Sequence, residues 1–187
     1  MPLDYLVFLG TVRRDRLGLR VARFVVDSCR SRGHAATLVD PMELDFPLLD
    51  RMYKEYPPGE APPKMAALAG QIRAADGFLV VSAEYNHSIP PALSNTLDHF
   101  LEEYAKRPSG IVCYSSSPYG GVRAAMQLRA MLAELGTPSI PTLFPVPSAG
   151  QAFSPEGEPT DPKAHGRVAK FLDELDWYAE ALKRHPK

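Results

Sequence analysis

Leu3-Asp-Tyr-Leu-Val-Phe-Leu9 runs directly into Gly10-Thr-Val-Arg-Arg-Asp-Arg-Leu-Gly18, and this junction decides the fold. An apolar run of this length reads as a strand covered on both faces. The segment after it has glycine at each end and carries Arg13, Arg14 and Arg16 before a helical pattern begins. A strand, a glycine-bounded loop and a helix N-terminus together form an anion site: free amides of the first turn and the positive end of the helix dipole face the loop. Thr11 adds a hydroxyl, and the guanidinium forks suit phosphate geometry. The spacing matches neither G-x-G-x-x-G nor G-x-x-x-x-G-K-[ST], so the loop is neither standard dinucleotide fingerprint nor Walker loop.

Outward from this junction, strand and helix patterns alternate. Leu19, Val21, Ala22, Val25, Val26 and Cys29 form a helical stripe over Leu17–Arg32, with Gly33 as its stop. Strands are expected at Ala35–Asp40, Gly77–Ser82, Gly110–Tyr114 and Ser139–Phe144. Helices are expected at Met65–Ala75, Pro91–Leu101 and Gly121–Leu135, and a last one, capped by Thr160 or Asp161, runs to about Arg184. Strict alternation implies parallel strands with right-handed crossovers. Five strands and five helices fit a single α/β domain over 1–187, a flavodoxin-like doubly wound parallel sheet of order 2-1-3-4-5 with helices on both faces.

Composition supports a globular domain and removes several classes. With 187 residues, 45% apolar and 23% charged, the chain is long enough for a substantial core. A net charge of -1 gives no electrostatic reason for a nucleic-acid or membrane-surface partner. No apolar run approaches a membrane span, and Met1–Leu9 lacks the basic lead of a signal peptide. Cys29 and Cys113 are expected to be buried, reduced thiols of a cytoplasmic protein.

In a doubly wound sheet, ligands sit beyond the carboxyl ends of the strands at the switch point. Three loops leave those ends: Gly10–Gly18, Ala83–Pro90 and Ser115–Gly121. The second supplies Tyr85 as an aromatic face and Asn86 as a reader of a heterocycle edge. The third, Ser115-Ser-Ser-Pro-Tyr-Gly-Gly121, is built of small residues around Tyr119. A planar, phosphorylated heterocycle satisfies all three loops, and FMN is such a ligand.

Gly10-Thr-Val-Arg-x-x-Arg-x-Gly18, Glu84-Tyr-Asn-His-Ser-Ile-Pro90 with Asn95 and Asp98, and Gly120-Gly-Val-Arg-Ala-Ala-Met-Gln-Leu-Arg129 together resemble the NADPH-dependent FMN reductase family. The resemblance spans about Leu3 to Pro147. It implies that Thr11, Arg13 and Arg16 hold the FMN phosphate beside Gly18. It also implies that Glu84, Tyr85, Asn86, His87, Ser115, Ser116, Ser117 and Gly120 meet the ring or ribityl chain. The implied activity passes a hydride from NADPH or NADH to FMN and then electrons to a small acceptor: a quinone, free flavin, azo compound or chromate. The alternatives are a flavodoxin-type electron carrier, against which the near-neutral charge and arginine-rich loop speak, and a non-catalytic flavin-binding module. Thr11, Ala83, Ser116 and Ser117 stand where the family more often has serine, proline and two glycines.

Plainer roles are expected elsewhere. Arg14 and Arg20 read as solvated surface charges, whereas Arg13 and Arg16 read as exposed loop side chains free to bind. His34, His99, His165 and His185 are scattered and lack metal-ligand spacing. Asn95 and Asp98 belong either to the site or to the anchoring of the Glu84–Pro90 loop. Met126, Leu128, Met131, Leu132 and Leu135 read as packing. The proline-rich stretches Pro47–Pro63 and Pro138–Pro162, with Tyr53, Tyr56, Phe144 and Phe153 read as exposed, suggest an interface. The corresponding expectation is a homodimer through Pro91–Leu101 and Gly121–Leu135, with pairing of dimers into a homotetramer.

Overall fold

Alternate residues of β1 (Asp4–Leu9) enter opposite cores: Tyr5, Val7 and Leu9 one, Leu6 and Phe8 the other. A strand apolar on both faces belongs in the middle of a covered sheet, and β1 lies between its two parallel neighbours in the computed structural model, which describes residues 1–184. His185 lies outside the described residues.

The elements follow in order as α1 (Leu17–Ser31), β2 (Ala35–Val39), α2 (Pro41–Leu44), α3 (Pro63–Ala74), β3 (Gly77–Ala83) and α4 (Pro91–Asp98), then β4 (Ser109–Tyr114), α5 (Val122–Glu134), β5 (Ser139–Val146), α6 (Ala149–Ala152) and α7 (Lys163–Lys183). All four strand pairings are parallel, and the order is β2-β1-β3-β4-β5. This is the expected flavodoxin-like order. One core lies beneath α1 and α7, the other beneath α3, α4 and α5. Each fully buried Val, Leu or Phe in them contributes about 1.5–3 kcal/mol. Cys29 and Cys113 are buried free thiols, and burial pushes both up to about 12, out of reach of ordinary thiolate chemistry. Among the described residues no helix is long and apolar enough to cross a membrane.

Several expectations need correction. β5 does not stop at Phe144 but runs to Val146 with Pro141 and Pro145 inside it. It is an edge strand, where a missing N–H can face away from the ladder. Phe144 and Phe153 are 2% and 3% exposed, held against Phe24, and are core residues. Met126 is 51% exposed and lies outside both cores, whereas Leu128 and Leu132 are buried as expected. Arg20 is not simply solvated, since it donates to the Phe153 carbonyl at 3.2 Å. Neither Thr160 nor Asp161 is the N-cap of α7, which is Pro162 without a side-chain cap; Asp161 accepts from the Lys163 amide at 3.0 Å just ahead of it, and Thr160 donates back to Gln151 O at 2.9 Å. Asn95 anchors a different loop from the one expected: its amide donates to Pro47 O at 2.8 Å and its oxygen accepts from Leu49 N at 2.9 Å.

Candidate functional site

The ladder between β1 and β3 ends at the Gly10 amide, which donates to Val81 O at 2.9 Å. Beyond it the connections from β1 and β3 part to opposite sides of the sheet, leaving a cavity of about 380 Å³. Thr11, Arg13, Asp15, Arg16 and Leu17 line one side; Ala83, Glu84 and Tyr85 come from the end of β3, and Tyr114, Ser115 and Ser116 from the end of β4. The three loops singled out in the sequence therefore meet at one place.

At the loop side, α1 begins at Leu17 with no side-chain cap and no acidic residue in its first turn. The Leu19 amide turns back to Arg16 O at 3.2 Å and the Gly18 amide bonds the Tyr114 hydroxyl, while the Leu17 amide has no partner among the described residues and keeps its capacity for an external acceptor. Arg13 is exposed at the cavity, and its guanidinium has no protein partner among the described residues. Arg16 differs from the expectation of a free loop side chain. Its Nη1 sits 2.5 Å from Asp40 Oδ1, with the two side chains 14% and 6% exposed. The same Asp40 oxygen accepts from the Met42 amide at 2.9 Å and caps α2, so Arg16 braces the loop onto the end of β2. Gly18 does not line the cavity. It lies against Tyr114, whose ring a Cβ at this position would overlap, so glycine is required by close approach. Burial raises the Tyr114 hydroxyl well above its ordinary range, and it stays a neutral donor at the floor of the cavity.

The β3 loop makes a tight reversal. Tyr85 and Ser88 exchange backbone hydrogen bonds of 3.0 and 2.9 Å around Asn86 and His87, at φ 52° and 63°. Two positive φ values define a type I′ turn, which asparagine tolerates and histidine adopts against its preference. Gln127 of α5 holds the turn, donating to His87 O at 2.8 Å and accepting from Ser88 Oγ at 2.7 Å. Asn86 and His87 are exposed and stand beside the cavity, not in its wall. Tyr85 Oη lies 2.7 Å from Thr11 Oγ1, which ties this loop to the first. Glu84 turns its carboxylate to α5, accepting from the Arg123 amide at 3.0 Å and pairing with its guanidinium at 3.2 Å. It supplies the negative charge that a helix N-terminus favours.

In the third loop, Ser115 and Ser116 reach the cavity, while Ser117 Oγ bonds Ser115 Oγ at 2.9 Å and shapes the loop from behind. Gly120 is buried against Pro145 and Pro147. Gly121, at φ 80°, leaves no room for a Cβ beside the Tyr114 backbone. Tyr119 is 59% exposed beneath the Arg123 guanidinium, 4.3 Å from its ring centroid. Asp15, Leu17, Ala83 and Tyr114 also line the cavity and were not anticipated. The signal available for the last two was their position at the carboxyl ends of β3 and β4.

These groups fit a phosphate: the Leu17 amide at the start of α1 and the Arg13 guanidinium, beside the Tyr114 hydroxyl. The chain matches the model of the NADPH-dependent FMN reductases over residues 3–151. The chain belongs to the NADPH-dependent FMN reductase family. A quinone reductase of Escherichia coli strain K12 is 31% identical over 134 residues, 70% of this chain and 69% of its own length. An NAD(P)H-dependent FMN reductase of Pseudomonas aeruginosa is 30% identical over 128 residues, 65% and 69% of the two chains. Among solved structures, the NAD(P)H:acceptor flavoenzyme FerB of Paracoccus denitrificans superimposes with a TM-score of 0.75 at 21% identity, covering 94% of this chain and 98% of that one. The family makes this chain an oxidoreductase with FMN as cofactor and NAD(P)H as reductant.

Proposed function

We propose that the cavity at the end of β1, β3 and β4 holds FMN and that the protein transfers hydride from NADPH or NADH to a small acceptor, of which quinones are the favoured class. The observation that carries this reading is the meeting of three loops, one cationic and two aromatic or hydroxyl-bearing, on one cavity. Bound FMN would accept a hydride and release electrons singly or in pairs. Arg13 and the Leu17 amide of α1 would hold its phosphate, with Arg16 fixing the loop geometry through Asp40. Tyr85 and the Ser115–Ser116 backbone would bound the ring plane, and the pinned Tyr85–Ser88 turn would offer its amides to the ring edge. Glu84 orients α5 and takes no part in proton transfer, since its carboxylate is held by the Arg123 amide and guanidinium. Donor and acceptor would use the same open face in turn, which gives ping-pong kinetics.

Quinones are favoured because a 31%-identical relative is a quinone reductase. The two free thiols support a reducing, cytoplasmic setting. Leu48, Leu49, Tyr119 and Met126, exposed around α4 and α5, support the homodimer reading; a monomeric mass by light scattering at micromolar concentration would remove it. The decisive experiment on the activity is a visible spectrum of protein reconstituted with FMN and desalted, followed by anaerobic NADPH. Retained flavin bands that bleach, and recover on adding a benzoquinone, are expected. Bands that NADPH leaves untouched would refute the reductase reading.

A further inference from the structure

Four charged side chains reach the wall of the cavity: Arg13, Asp15, Arg16 and Glu84. Two of them are committed inside the protein, Arg16 to Asp40 at 2.5 Å and Glu84 to Arg123 at 3.2 Å. Arg13 and Asp15 remain. Both are exposed, and among the described residues neither side chain has an ion-pair or hydrogen-bond partner. Arg14 and Arg16 flank Asp15 in sequence, yet neither pairs with it. The two free charges are opposite, so the free side chains of this arginine-rich loop bring the cavity no net positive charge. Asp15 also stands directly before Arg16, the residue from which α1 starts, where the positive end of the helix attracts any anion. A bound phosphate and the Asp15 carboxylate would draw on the same positive end.

We propose that Asp15 sets the affinity of the site as a resident anion, opposing the FMN phosphate and holding its binding several-fold weaker than the surrounding donors would allow. This rests on the reading of the cavity as an FMN site. The opposition is Coulombic and passes through solvent, because Asp15 is exposed, so salt screens it. It acts on the phosphate and leaves the uncharged isoalloxazine ring alone. Removing it should therefore sharpen the preference for FMN over riboflavin, the same ring and ribityl chain without a phosphate.

Asp15→Asn keeps the shape and removes the charge, and Asp15→Glu keeps the charge. Flavin fluorescence titrations would give the Kd of each protein for FMN and for riboflavin at about 20 mM and about 500 mM salt. At low salt the Asn variant is expected to bind FMN about three- to tenfold more tightly than the wild type. High salt should shrink that gap to less than about twofold, the Glu variant should match the wild type, and riboflavin should not distinguish the three. Unchanged or weaker FMN binding by the Asn variant would overturn the proposal, as would equal gains for FMN and riboflavin or a gain that salt leaves intact. If Asp15 served only to stabilise the start of α1, the Asn variant would lose urea resistance and keep the wild-type Kd values. Wild-type protein that binds no FMN would remove the cavity reading and this proposal with it, whereas FMN bound with indifference to Asp15 would remove this proposal alone.

Discussion

The two ends of this sheet both carry clusters of charged and hydroxyl groups around a hollow, yet they differ in what those groups are doing. At the amino end, Asp176 accepts from Tyr5 Oη at 2.6 Å, from Arg32 Nη2 at 2.7 Å and from His34 Nε2 at 3.1 Å. The other nitrogen of His34 takes the Leu3 amide at 3.1 Å. The hollow there, about 430 Å³, is larger than the one at the carboxyl end, about 380 Å³. Every polar group in that cluster is committed to another part of the chain. At the carboxyl end, Thr11, Arg16 and Glu84 are committed too, as are the Gly18 and Leu19 amides of α1, but among the described residues the Arg13 guanidinium and the Leu17 amide are not. Free polar capacity, and not volume or charge, separates a binding site from a structural knot.

Breaking the closed end should therefore cost stability and leave binding alone. Asp176→Ala strips the acceptor from a buried tyrosine hydroxyl, a histidine and an arginine, and should lower stability by about 3 kcal/mol or more. Urea unfolding reads this directly, and the FMN Kd should stay within about twofold. A tenfold weaker Kd would show that the two ends are coupled and the contrast false.

Arg16→Ala and Arg13→Ala sharpen the contrast within the carboxyl end itself. Losing Arg16 leaves Asp40, 6% exposed, without its cation, so stability should fall by about 2 kcal/mol and FMN affinity with it. Losing Arg13 removes only charge-assisted donors to a ligand. FMN affinity should then fall by about 10–100-fold, with stability unchanged within about 0.5 kcal/mol. Equilibrium fluorescence titration of FMN beside urea unfolding distinguishes the two. Identical profiles for both variants would mean that the ion pair with Asp40 does not matter.

How much of this was legible in advance follows the same division. Patterns local in sequence were readable: the apolar runs and glycine stops gave the strand order, and the loops after β1, β3 and β4 gave the place of the site. Of the twelve residues expected there, Thr11, Arg13, Arg16, Glu84, Tyr85, Ser115 and Ser116 line the cavity. What the pattern hid were commitments made across long separations. Arg16 pairs with a residue 24 positions away, Glu84 with an amide 39 away, and Asn95 with carbonyl and amide groups of the Pro47–Leu49 segment. A side chain's type is written in the sequence, but its partner is set by packing. Phe144 was hidden by neighbouring prolines, which on an edge strand do not prevent burial, and Phe153, just past α6, by the loop around it, although it packs on Phe24.

Tyr85 gives the smallest expected effect and the finest test, because its hydroxyl belongs to the committed set although its ring faces the cavity. Tyr85→Phe keeps the ring and deletes the 2.7 Å contact with Thr11 Oγ1. A neutral hydrogen bond of this kind is worth about 1 kcal/mol, so the unfolding midpoint should drop slightly. Thr11 is 2% exposed and its hydroxyl keeps the Arg13 amide, at 3.4 Å, and the Tyr114 hydroxyl as partners when Tyr85 lets go. FMN affinity should accordingly change by less than about threefold. A loss of tenfold or more would mean that the hydroxyl touches the flavin itself, moving Tyr85 Oη from the committed groups to the free ones and redrawing the boundary of the site.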